Sequence, residues 1–244
     1  MDRRPSRMIE VIALDGDDTL WHSEQLFADT QAAFRELLAP HVALDAEALE
    51  ARLLEVERRN LPTFGYGVKA FTLSLMETAI EVTKGAIPST HLQSILDLGK
   101  VLLDHPVQLL DGVPEVVDLL TNRYRVMVVT KGDLLHQESK IARSALAELF
   151  WQIEVVSEKD EATYRRVLNR WSIDPSTFVM VGNSVRSDVL PPLAIGARAI
   201  HVPHAITWAL EQVEADPQRH DFPVLTSLSD LPACISAMDG SSNA

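Results

Sequence analysis

Asp15, Asp17 and Asp18 stand within four positions, directly after the apolar run Val11-Ile12-Ala13-Leu14. Such a run suits a strand buried on both faces of a parallel sheet. The carboxylates then fall at its C-terminal end, where open α/β sheets hold their ligands. Residues two apart on an extended strand end point to the same side, so Asp15 and Asp17 are close neighbours. Two carboxylates that close can divide roles: one stays ionised on a cation, while like charge raises the other's pKa and leaves it a proton to donate. An acidic turn is the plainer reading of the stretch. A calcium loop fails, because its sixth and twelfth positions would be Leu20 and Leu26 rather than Gly and Glu.

Two later strand ends offer complementary groups. Thr130 closes Arg125-Val126-Met127-Val128-Val129 and is followed by Lys131-Gly132-Asp133. A hydroxyl with main-chain amides at a helix start can cradle a phosphate oxygen, although Thr in that place also serves as an ordinary helix cap. Gly182-Asn183-Ser184-Val185-Arg186-Ser187-Asp188 follows the apolar run 178–181 and supplies an amide, hydroxyls and a carboxylate. His201 and His204 suggest a two-ligand metal site, but no Cys or third His stands nearby, and loop structure is the better reading.

These groups need a sheet to position them, and the pattern supplies one. From about residue 106, strands at 125–130, 153–157, 178–182 and 198–202 alternate with helices at 134–149 and 161–171 and a helical turn at 189–195. Residues 23–105 differ: four amphipathic helical patterns, at 23–38, 45–60, 68–83 and 89–103, and no strand. The first strand therefore belongs with strands a hundred residues later. The expected division is a core of 1–22 and 106–232, an inserted helical unit of 23–105 and a partly disordered tail of 233–244, with linkers near 20–24 and 104–112.

Composition narrows the function classes. The chain has 244 residues, 46% of them hydrophobic, enough for a substantial core. Its net charge of −13 and lack of Lys/Arg clusters argue against nucleic acid as a partner. No apolar run approaches the roughly 18 residues of a membrane span, and the N-terminal stretch does not read as a signal peptide. The single cysteine, Cys234, leaves no internal disulfide and no thiolate cluster for zinc, as expected of a cytoplasmic protein.

Taken together, the strand ends resemble the motifs of the haloacid dehalogenase superfamily of Asp-nucleophile hydrolases. The first motif, D-x-D-x-T, is Asp15-Gly16-Asp17-Asp18-Thr19; the second, a Ser or Thr closing a strand, is Thr130; the fourth, an acidic G-D…D loop, is Gly182-Asn183…Asp188. The third, a Lys beyond the next strand, is best matched by Lys159. Lys140 competes for that role but lies inside a helical pattern, where a solvated face is expected. The resemblance covers nearly the whole chain and implies a Rossmann-like α/β core with a helical cap inserted after the first motif.

The resemblance also implies a Mg2+-dependent phosphatase whose substrate is a small phosphate ester. Asp15 would attack phosphorus and form an aspartyl-phosphate; Asp17, protonated, would serve the leaving alcohol and then the attacking water. Asp15, the main-chain oxygen of Asp17 and Asp188 would hold Mg2+, Thr130, with Lys131, Gly132 and Lys159, would hold the phosphoryl oxygens, and Asn183 would be among the substrate-binding residues. Dehalogenase members carry a non-acidic residue at the position of Asp17, so Asp17 favours phosphate esters over carbon–halogen or phosphonate bonds. Asn183 departs from the pattern, replacing the usual Asp. It removes one negative charge from the metal site and leaves open a non-catalytic phosphate-binding protein.

Within the implied cap, Asn60-Leu61-Pro62-Thr63-Phe64-Gly65-Tyr66-Gly67-Val68-Lys69 is a glycine-rich aromatic loop. Tyr66 and Lys69 are the residues expected to reach the leaving group. Trp21 and His22 are candidates to line the same pocket, with packing at the hinge the expected reading, and Trp151, Trp171 and Trp208 are read as packing.

Overall fold

The computed structural model describes residues 8–213 and 222–240. Its elements run β1 (Val11–Leu14), α1 (Glu24–Leu38), α2 (Ala46–Phe64), α3 (Val68–Val82), α4 (Ser89–Asp104) and α5 (Val113–Thr121). Then follow β2 (Arg125–Lys131), α6 (Leu134–Arg143), β3 (Gln152–Val156), α7 (Glu161–Arg170), β4 (Phe178–Gly182), α8 (Leu190–Ala194), β5 (Arg198–His201) and α9 (Leu231–Gly240).

All five strands are parallel, in the order β3-β2-β1-β4-β5, so the first strand in the chain is the central one. Alternate side chains of each strand enter different cores, as the two-residue period requires. Ile12, Leu14, Val126, Val128, Val179 and Val181 pack with α5 and α9. Val11, Ala13, Met127, Val129, Phe178 and Met180 pack against Tyr164, Val167 and Leu168 of α7 on the opposite face. Burial on both faces explains why these strands are continuous apolar runs.

Register sets the site. Leu14 pairs with Val128 on one side and Val181 on the other. Asp15, Thr130 and Gly182, each one or two residues further on, therefore end up together at the C-terminal edge.

Helices α1 to α4 enclose a core of their own, built from Phe34, Leu38, Leu53, Phe71, Leu75 and Ile95 among others. The segments that lead into and out of this bundle run side by side: His22 N–H donates to Gln108 O at 3.0 Å, and Leu110 N–H to Leu20 O at 3.0 Å. Among the described residues no helix is long and apolar enough to cross a membrane.

Three sequence expectations need correction. Helix α6 ends at Arg143 rather than near 149, because Ala145 turns to φ +60° and only a short 3-10 turn follows. Helix α2 runs on through Pro62 to Phe64, which shrinks the expected glycine-rich loop to Gly65-Tyr66-Gly67. Residues 233–240 are not a disordered tail: they form most of α9, whose Leu231 and Ile235 are fully buried beneath the sheet. Positions 231 and 235 lie one turn apart, so a short apolar stripe is enough to dock the helix. Residues 241–244 lie outside the described ones.

Candidate active site

Lys159 organises the polar groups at the sheet edge. Its Nζ donates to Asp15 Oδ1 at 2.5 Å and to Asp188 Oδ1 at 2.7 Å, with Lys159 only 3% exposed. Asp188 is also held from its other oxygen by the Ser184 amide at 3.0 Å. Gly182 makes this possible: a Cβ there would sit 2.3 Å from the Asp188 carboxyl group, so only glycine lets the carboxylate lie against the strand end. One buried ammonium thus faces two buried carboxylates. Burial drives the Asp15 carboxyl pKa upward, Lys159 counters, and Asp188 adds to the rise. Burial alone would lower the Lys159 pKa, but the two carboxylates reverse it and hold the lysine firmly charged.

The unbalanced negative charge fits a hard cation. The Asn183 side-chain amide faces both Asp15 Oδ2 and the main-chain oxygen of Asp17, and its nitrogen, turned toward them, donates at 3.1 and 3.3 Å. Turned the other way, its oxygen would join theirs. Two carboxylates, a main-chain oxygen and an amide oxygen are the donor set of an ion that keeps several waters, and among the described residues no larger cluster of acidic, His or Cys side chains forms a full protein cage.

Asp17 departs from the sequence expectation. Its Oδ1 accepts from Trp21 Nε1 at 2.6 Å and from Lys140 Nζ, and its Oδ2 accepts from Gln137 Nε2 at 2.9 Å. Burial raises the Asp17 pKa, but Lys140, Gln137 and Trp21 together outweigh it and the net shift is downward. The carboxylate pushed toward neutrality is Asp15, not Asp17, because the lysine beside Asp17 serves it alone. Lys140 is correspondingly not on a solvated face: it is 8% exposed and points into the site. Leu134 and Leu135 of the same helix are instead 58% and 68% exposed.

Thr130 is 1% exposed, and its Oγ1 accepts from Gln137 Nε2 at 3.3 Å. Lys131 donates to Ser187 Oγ at 2.9 Å, pairs with Glu211 and stacks 4.1 Å from the Tyr66 ring centre. Glu211 also accepts from Ser184 Oγ at 2.7 Å and Ser187 Oγ at 2.6 Å. Burial pushes Glu211 up, but these partners hold its pKa below the ordinary value. Asp18 takes no part in this cluster; it accepts from the Ser23 and Glu24 amides at 2.9 and 3.0 Å and anchors the start of α1.

A cavity of about 520 Å³ joins this edge to the helical bundle. Asp15, Asp17, Thr130, Lys131, Lys159 and Asn183 line one end, with Asp188 beside them. Phe27, Leu54, Leu61, Phe71 and Tyr66 line the other. Lys69 and Gly132 do not line it. The Lys69 ammonium is paired with Asp133 at 3.0 Å, and Gly132 instead leaves room for Gln137, whose Nε2 would lie 2.8 Å from a Cβ.

Trp208, read in the sequence as packing, lines the cavity, 6.0 Å from the Tyr66 ring and 3.4 Å from Glu57 through Nε1. No local pattern marks Gln137, Trp208 or Glu211 in the sequence; only the spacing of Gln137 and Lys140, three apart on one helix, hinted at a shared face. Trp151 and Trp171 do pack together, 5.6 Å apart, and His201 and His204 serve the loops, His201 Nε2 lying 3.0 Å from Asn183 O.

The chain is similar to known proteins in sequence and fold. The family model described as haloacid dehalogenase-like hydrolase matches residues 9–196. A haloacid dehalogenase-like family hydrolase from Xanthomonas campestris is 42% identical, with a TM-score of 0.84 over 99% of this chain and 97% of that one. A 2-haloacid dehalogenase from Pseudomonas syringae shares the fold at 24% identity, with a TM-score of 0.62 over 94% and 99% of the two chains. The glyceraldehyde 3-phosphate phosphatase of Methanothermobacter thermautotrophicus is 29% identical over 121 residues, 48% of this chain and 53% of the relative, so the match spans about half the length of that curated protein. With the four motif positions gathered at one edge of the expected sheet, and a family model that covers most of the chain, the protein belongs to the haloacid dehalogenase-like hydrolases.

Proposed function

We propose that this hydrolase is a Mg2+-dependent phosphatase acting on a small phosphorylated metabolite through an aspartyl-phosphate on Asp15. The observation that carries the reading is Asp17: a second carboxylate lines the same cavity end as Asp15, where carbon–halogen cleavage needs no acid or base for its leaving group. The phosphatase relative supports the same direction.

Asp15, Asp188, the Asp17 main-chain oxygen and the Asn183 amide oxygen would hold Mg2+, which when bound supplies charge neutralisation for an approaching phosphoryl group. Asp15 Oδ attacks phosphorus and the ester oxygen departs. Asp17 is the proton carrier, giving a proton to the leaving oxygen and later taking one from water; its contact with Lys140 favours the anionic form that the second step uses. Thr130, Lys131 and Lys159 hold phosphoryl oxygens, and most of the barrier lowering lies in such fixed charges and donors. The bundle α1 to α4 acts as the cap, with Tyr66 and Trp208 against the leaving group.

The test is phosphate release across a panel of phosphate esters with Mg2+. Release that stops with EDTA and in Asp15→Asn is expected. No turnover on any member would leave a phosphate-binding protein instead, and halide release from a haloacid would favour the dehalogenase reading.

A further inference from the structure

Three donors hold the Asp17 carboxylate, and two of them come from α6, outside every motif. Gln137 and Lys140 are three residues apart and so share one helix face. They are 2% and 8% exposed, although long polar side chains are buried only where a partner compensates. For Lys140 that partner is Asp17 Oδ1, the oxygen that also accepts from Trp21 Nε1. The Gln137 amide nitrogen meets Asp17 Oδ2 at 2.9 Å, Lys131 O at 2.8 Å and Thr130 Oγ1 at 3.3 Å. Reversing the amide would set its oxygen against a carboxylate and a carbonyl, so its orientation is fixed by its surroundings. Its own Oε1 has no partner among the described residues, and Gly132 is open on the side where a Cβ would strike Nε2.

We propose that Gln137 and Lys140 are positioning residues that lock the Asp17 side chain for proton transfer, with Gln137 tying Asp17 to Thr130 so that the proton carrier and the phosphoryl-holding hydroxyl share one support. The inference rests on the phosphatase reading. Neither residue touches the reacting atoms; each acts through Asp17. Trp21 and Lys140 hold Oδ1 and Gln137 holds Oδ2, so both carboxylate oxygens are tied. The lock serves both proton transfers of Asp17, and kcat/KM, which covers only the steps through departure of the leaving group, reads its effect on the first of them.

The experiment compares an alkyl phosphate, whose alkoxide needs a proton to leave, with 4-nitrophenyl phosphate, whose phenolate leaves without one. Both are measured with Mg2+ on the same preparations of wild type, Lys140→Met, Lys140→Arg and Gln137→Met. In Lys140→Met, kcat/KM on the alkyl ester should fall about 100-fold, in the range of a lost proton transfer. On the aryl ester kcat/KM should fall less than about fivefold.

Lys140→Arg should recover most of the alkyl rate, and Gln137→Met should depress the alkyl-to-aryl ratio in the same direction. That ratio does not depend on how much of a preparation is folded, so a destabilised variant still reports. Equal losses on both esters, or no loss on either, would overturn the positioning role while wild-type turnover and its abolition in Asp15→Asn leave the phosphatase reading intact. If wild type turns over neither ester in an Asp15-dependent way, the reading itself fails and the positioning role falls with it.

Discussion

The Lys159 ammonium donates to Asp188 Oδ1 at 2.7 Å where neither side chain meets appreciable solvent, 3% and 0% exposed. It reaches Asp15 on its other side. A charge so placed serves the fold and the site at once. Lys159→Met leaves two carboxylates buried without a counter-charge, which costs about 3–5 kcal/mol in metal-free protein. Urea unfolding should show that loss, with part of it recovered on adding Mg2+ if the proposed metal site is right, and the proposed phosphatase activity should fall at least about 100-fold.

Asp17 and Asp18 are adjacent, yet their substitutions should differ sharply. Asp18→Asn keeps an oxygen to accept from the Ser23 and Glu24 amides, and φ +58° at this position suits Asn. Its activity should stay within about threefold of wild type, with a stability change near 1 kcal/mol. Asp17→Asn removes the proposed proton carrier and should lower kcat on an alkyl phosphate about 100-fold or more. Steady-state kinetics on both variants checks the contrast.

Leaving-group selection should follow the residues that line the cavity. Trp208→Ala should reorder the ranking of substrates in an activity panel, because the indole stands between the Tyr66 ring and Glu57. Lys69→Ala should leave the ranking unchanged, since its ammonium is held by Asp133 and is half exposed. A reordered ranking in Lys69→Ala would bring that lysine back to the substrate.

Glu57 gives the fold a pH dependence. Burial raises its pKa from 4.5 to about 7, with only a partial offset from Trp208. The native state therefore holds a proton that the unfolded chain releases near 4.5, and stability falls as pH rises from about 4.5 to about 7. Urea midpoints measured from pH 4.5 to 8 should decline less steeply in Glu57→Gln, and the variant should be the more stable protein at pH 8.

The central sheet and the strand-end motifs were legible because both are local signals. An apolar run that ends in Asp15, Thr130 or Gly182 carries its own meaning, and the chain order of the motifs supplies the register. Lys140 and Gln137 were not legible, since a helix face is assigned from its apolar residues and α6 exposes Leu134 and Leu135 while burying the polar side. Trp208 and Glu211 reach the site from a loop with no periodicity to orient them. The roles of Asp15 and Asp17 in charge balance depended on which lysine each would meet, a matter of packing between α6 and the sheet edge. The C-terminal helix was hidden by its shortness, with two apolar residues one turn apart doing the docking.

The most direct test of Asp15 as nucleophile is acid quenching of the Mg2+-loaded enzyme during turnover of a phosphate ester labelled at phosphorus, followed by peptide mapping. The predicted result is label on the peptide that contains Asp15, stable in acid and released by hydroxylamine, and none in Asp15→Asn. Steady phosphate release with no labelled protein, continuing in Asp15→Asn, would contradict the proposal.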